Sequence, residues 1–169
     1  MDSDRTTISA GEIARGLIAG LAGTAAMSLS QRIEMALTGR QPSATPAEAL
    51  CLLLGFETRS EAEEQRLAEE AHWAYGTAWG LGHAVLRPIP EPARGLVFLG
   101  AVWGAGVALL TATRLSPPPT QWTTQSLLSD IAHHAVYVAA GSAAYRALGR
   151  VGGAEPEQAV SREDRPALA

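Results

Sequence analysis

Residues 95–113 read GLVFLGAVWGAGVALLTAT. Nineteen residues pass without one charge, and the polar side chains are a tryptophan and two threonines near the end. A soluble helix of this length would carry a polar stripe on the face turned to water. This one has none, so it reads as a helix that crosses a bilayer.

Three further stretches share the character: residues 16–31, 71–86 and 131–145. With their flanks, each approaches the length needed to cross a hydrocarbon core of about 30 Å at about 1.5 Å per residue. The expected fold is therefore all-α: a polytopic membrane protein with four transmembrane helices over about 10–37, 61–86, 93–113 and 124–148. A soluble four-helix bundle is the rival. A cleaved signal peptide is a poor reading of the first segment, because fifteen residues, three of them acidic, precede it.

Local signals place the boundaries. Ser9-Ala-Gly-Glu12 is a capping-box pattern, and Gly39 suits the far end of the same helix. Thr45-Pro-Ala-Glu48 is a second box and opens a short apolar run, 46–54, which is too short to span and reads as an interfacial helix. Ser60-Glu-Ala-Glu63 is a third. Ser116-Pro-Pro-Pro119 cannot continue a helix. Residues 1–9 form an N-terminal tail. Residues 149–169, rich in Gly, Pro, Glu and Arg, read as a disordered tail.

All thirteen basic residues are arginine, and the net charge is −4. Nucleic acid is excluded as a partner, since it needs a concentrated basic surface. The single cysteine, Cys51, excludes an internal disulfide. No metal or cofactor signature is present, and no phosphate loop, nucleophile elbow or zinc-protease motif occurs. Four spans put both termini on one side. That side carries eight of the thirteen arginines, so the termini are expected in the cytoplasm and the bilayer itself is the first partner.

Gly16/Gly20, Gly76/Gly80 and Gly100/Gly104 each place two small residues on one helix face. Such faces let backbones approach closely inside lipid. They are expected to pack helices within the bundle; a homo-oligomer or a membrane-protein partner is the alternative.

Ionisable groups at membrane depth mark candidate sites. Asp130, His133 and His134 share one face of the fourth helix by their spacing. His72 lies at the same end of the second helix, and Arg32 and Glu34 close the first helix there. This outer-end cluster is the candidate site, with an Asp130–His134 pair across one turn. Three roles fit it: interhelical hydrogen bonds in a non-enzymatic protein acting through packing or partner binding; a proton-responsive element of a channel or transporter component; and, third, a metal-binding membrane enzyme.

The second half has a family resemblance. Leu115-Ser-Pro-Pro118, then Trp122, then Asp130-x-x-x-His134-Ala-Val-Tyr137 resembles the Leu-Thr-Pro-Pro, Trp, Glu-x-x-x-His-x-Val-aromatic run of the YagU-like family. These are small bacterial inner-membrane proteins of unknown function. Gly16-Leu-Ile-Ala-Gly20, followed by Arg32 and Glu34, is similar too. Asp130 stands where the family pattern has Glu. The resemblance implies an inner-membrane location and a link to acid stress, with no established reaction.

Overall fold

The computed structural model describes residues 8–152, and these are helical, with no strand among them. Helix α1 spans Ala10–Thr38. Its start is a complete capping box: the Glu12 N–H donates to Ser9 Oγ at 3.2 Å, and the Ser9 N–H donates to Glu12 Oε2 at 2.8 Å. Its end turns on Gly39, whose φ of 72° is left-handed. Helix α2, Thr45–Leu54, closes the same way on Gly55. The box expected at Thr45 does not form. Ala44 is the cap residue and Thr45 already lies in the helix, because Pro46 sets the first turn.

Helix α3 spans Glu61–Trp79 and is capped by Ser60. The expected unbroken helix over 61–86 is interrupted. Main-chain N–H groups of Gly80, Leu81, His83 and Ala84 donate to carbonyls three residues back, which tightens the chain before the one-turn helix α4, Gly82–Val85. The tightening sits where the chain crosses α1: a Cβ on Gly80 would lie 2.6 Å from Gly20 Cα.

Helix α5, Ala93–Ala112, ends with Arg114 in the left-handed region at φ 61°. After a single 3-10 turn at Pro119–Gln121, helix α6 runs over Thr124–Gly152. The Ser126 N–H donates to Thr123 Oγ1, which caps the start. The helix continues four residues past the expected end at 148, so the tail predicted for 149–169 is helical to Gly152. The rest of that tail, and residues 1–7 of the N-terminal one, lie outside the described residues.

The main helices alternate up and down. Arg15 near the start of α1 donates to the Tyr145 carbonyl near the end of α6, while Ser30 near the end of α1 meets His133 in the first half of α6. α1 is the central element and packs on α3, α4 and α6; α5 packs chiefly on α6. A small core of Met27, Phe98, Val102, Tyr137 and Val138 joins them. His83 is buried there between the Phe98 and Tyr145 rings, at centroid distances of 4.4 and 5.4 Å.

Two helices, α1 and α5, are long and apolar enough to cross a membrane. Only 33% and 11% of their apolar windows lie inside the protein. Leu17, Ile18, Leu21, Leu29 and Ile33 of α1, and Leu96 and Val97 of α5, stay exposed. An apolar surface of this kind fits lipid better than water.

Candidate functional site

The glycine positions divide sharply. On α1 and α3 they sit at backbone contacts. A Cβ on Gly16 would lie 3.0 Å from the Gly80 carbonyl oxygen, and one on Gly20 would lie 2.8 Å from that of Gly76. Thr24 fills the space beside Gly76 and spends its hydroxyl on the Gly20 carbonyl at 2.8 Å. Gly23 makes room for the Tyr137 ring, and the Tyr137 hydroxyl donates to the Gly76 carbonyl at 2.7 Å. Gly100 and Gly104 do not share this role. A Cβ at either meets nothing within 4 Å, so the expected close packing through α5 is corrected. The spacing gave them a common face, but that face turns away from the bundle.

α1, α3 and α6 meet at these glycines, and α1 runs on from them toward its end at Thr38. A cleft of about 1080 Å³ opens there. α1, α3 and α6 supply its acidic and imidazole groups, and α2 with the second half of α5 supplies leucines. Leu50 and Leu53 of α2 face this space together with Leu109 and Leu110 of α5.

Five of the six predicted cluster residues line the cleft: Glu34, His72, Asp130, His133 and His134. The exception is Arg32. It pairs with Glu69 at 3.3 Å on the exposed surface, with side chains 67% and 61% exposed, and lines an adjoining groove of about 350 Å³ that shares Arg40 and His72 with the cleft. The cation beside Glu34 is Arg40 instead. Gly39 turns the chain back, and Arg40 donates to Glu34 Oε2 from Nε at 3.0 Å and from Nη2 at 2.8 Å.

His133 is anchored on both ring nitrogens. Nδ1 is 2.8 Å from Ser30 Oγ; Nε2 is 3.3 Å from Ser129 Oγ and 3.6 Å from Glu34 Oε2. These contacts tie α6 to α1, so His133 serves as a strut.

The expected approach of Asp130 and His134 across one turn is present, but the hydrogen bond of each goes to another partner. His134 Nδ1 lies 2.8 Å from the main-chain oxygen of Asp130 and 3.8 Å from its carboxylate. A carbonyl only accepts, so Nδ1 carries a hydrogen. The Asp130 carboxylate accepts instead from Trp103 Nε1 at 2.7 Å. Trp103 was not among the expected site residues. Its signal was the one side-chain N–H in the uncharged stretch 95–113, a group that takes a partner when it is not left to lipid. His72 completes the wall, and its Nε2 is buried without a hydrogen-bond partner.

The opposite end of the bundle holds a second set of charges. Glu12 pairs with Arg87, and Glu91 stands 4.0 Å from Arg94 and 3.7 Å from Arg146. The Arg15 guanidinium lies 4.5 Å over the Tyr145 ring. These groups clamp the helix ends together.

Among the described residues, no group of three or more His, Cys, Asp or Glu side chains converges as a metal site would require. The cleft groups are instead hydrogen-bond acceptors and ring faces spread along an apolar space. That composition suits an amphipathic small molecule. No family model, no curated protein and no solved structure matches this chain, so the YagU-like likeness rests on the quoted residues alone.

Proposed function

We propose that this chain is a multi-pass protein of the bacterial inner membrane that works by binding, without catalysis, a small amphipathic molecule drawn from the bilayer. α1, α3 with α4, α5 and α6 are its four spans, α2 lies at the interface, and both termini are cytoplasmic. The cleft then sits at the outer end. The observation that carries this reading is the cleft itself: a ligand-sized space lined by acidic and imidazole groups together with leucines. A helix bundle folded only for packing would fill that volume with side chains.

Two glycines of one helix give the test. Gly100 and Gly106 both have room for a side chain, but only Gly106 lines the cleft. Gly106→Trp fills the space from the α5 side, and Gly100→Trp adds the same bulk elsewhere. Native mass spectrometry of the protein extracted from its own membranes should show a bound small molecule in the wild type and in Gly100→Trp, and none in Gly106→Trp. A wild type without an adduct, or an adduct that survives in Gly106→Trp, refutes the reading.

A proton-responsive bundle is the second reading, favoured by the 3.8 Å between His134 Nδ1 and the Asp130 carboxylate. It predicts an acid-survival defect in cells carrying Asp130→Asn or His134→Gln. Equal survival at every pH counts against it.

A further inference from the structure

The cleft has a charge preference as well as a shape. Its ionisable lining consists of Glu34, Arg40, Asp130 and the three histidines. Glu34 and Arg40 neutralise each other through two nitrogens of the guanidinium. His133 is held by two serine hydroxyls. His134 spends its Nδ1 hydrogen on the main chain. Asp130 is left with a neutral donor, Trp103 Nε1. Of the two carboxylates in the lining, Glu34 is bonded by an arginine and Asp130 is not; the imidazole of His134 stands 3.8 Å from it. An ionised carboxylate in a space walled partly by leucines favours a positive group over water-filled emptiness, because attraction strengthens as the dielectric falls.

The surroundings fit the body of such a ligand. Tyr75, Trp122 and Tyr137 present rings to the same cleft, and ring faces attract cations that have shed their water. Leu53 and Leu110 offer an apolar wall for the remainder. An anionic lipid headgroup would instead meet Asp130 as a like charge.

We infer that the cleft takes a lipophilic monocation, with its charge at Asp130 and its apolar body between α2 and α5. This rests on the cleft-binding reading above and assigns its ligand class. The opposite-charge pair tetraphenylphosphonium and tetraphenylborate tests it, since the two ions have nearly the same shape. Equilibrium dialysis against the full-length protein in neutral-lipid nanodiscs measures both. Saturable phosphonium binding is expected, with borate weaker by about tenfold or more, a gap of about 1.4 kcal/mol. Asp130→Asn should close most of that gap, and Gly106→Trp should abolish phosphonium binding while Gly100→Trp keeps it.

The wild-type comparison of the two ions needs no variant, so misfolding of Asp130→Asn leaves the test intact. Borate binding as tight as phosphonium, or absence of saturable phosphonium binding, overturns the inference. If a native adduct is still lost in Gly106→Trp, the charge assignment alone has failed and the cleft reading stands. If neither native adduct nor phosphonium binds, both fail.

Discussion

At the scale of single residues, the site is organised by which donor reaches which acceptor, and spacing along a helix decides only part of that. Asp130 and His134 sit one turn apart, yet the imidazole bonds to the main chain and the carboxylate to a tryptophan on another helix. A double-mutant cycle separates the two contacts. Trp103→Phe and Asp130→Asn should show a coupling of about 1 kcal/mol, typical of one hydrogen bond to a carboxylate that stays partly exposed. Asp130→Asn and His134→Gln should couple less than half as strongly. The reverse ranking in detergent melting would restore the helical pair and remove Trp103 from the site. Arg32 and Arg40 give a parallel contrast. Arg32 and Glu69 are both well exposed, so Arg32→Ala should change Tm little. Arg40→Ala leaves Glu34 beside the cleft without its cation. It should strengthen phosphonium binding and weaken borate binding further. Identical binding of both ions before and after the change would show that Glu34 does not feel the cleft.

At the scale of elements, the crossing of α1 over α3 decides where the chain is intolerant. Gly20→Leu must displace main chain, since even its Cβ would lie 2.9 Å from Gly80 Cα. An overpacking cost of about 1–3 kcal/mol follows. Gly104→Leu meets open space and should leave Tm unchanged. Equal losses in both variants would place the Gly104 face in a contact after all. The end of α5 offers a gain. Arg114 holds φ at 61° while Leu115 and Ser116 donate to the Leu110 carbonyl at 3.0 and 3.2 Å. A residue with a Cβ pays for that conformation, so Arg114→Gly should raise stability by about 1 kcal/mol, read as a higher Tm. A lower Tm would mean that the arginine side chain contributes more than its backbone costs. Helix ends such as Ser9, Gly39 and Ser60 were legible in the sequence, because caps are local chemistry. The break at Gly80 was not, because it is imposed by the approach of α1. Gly100 and Gly104 show the same limit: a repeat of four residues fixes a face, and the all-round apolar character of α5 gives no clue to which way that face turns.

At the scale of the whole molecule, convergence of the outer-end groups was legible, because alternating helices must bring the end of α1, the start of α3 and the start of α6 together. Arg40 and Trp103 were not, since one depends on the turn at Gly39 and the other on how α5 rotates against α6. The same alternation puts the start of α1 and the end of α6 at one end of the bundle, beside Arg15, Arg87, Arg94 and Arg146. Arginines are retained on the cytoplasmic side of a membrane. The cleft end, by contrast, adjoins Glu61, Glu63 and Glu64 in the first turn of α3. In the proposed topology this arginine bias sets the cleft outward. Single cysteines at Glu64→Cys and Glu157→Cys, in a Cys51→Ala background, report this on intact cells. A membrane-impermeant maleimide should label the first and spare the second until the cells are opened. Labelling of Glu157→Cys alone would invert the protein and turn the cleft to the cytoplasm. Release of the protein by alkaline carbonate would remove it from the membrane altogether, and the apolar faces of α1 and α5 would then need a protein partner to cover them.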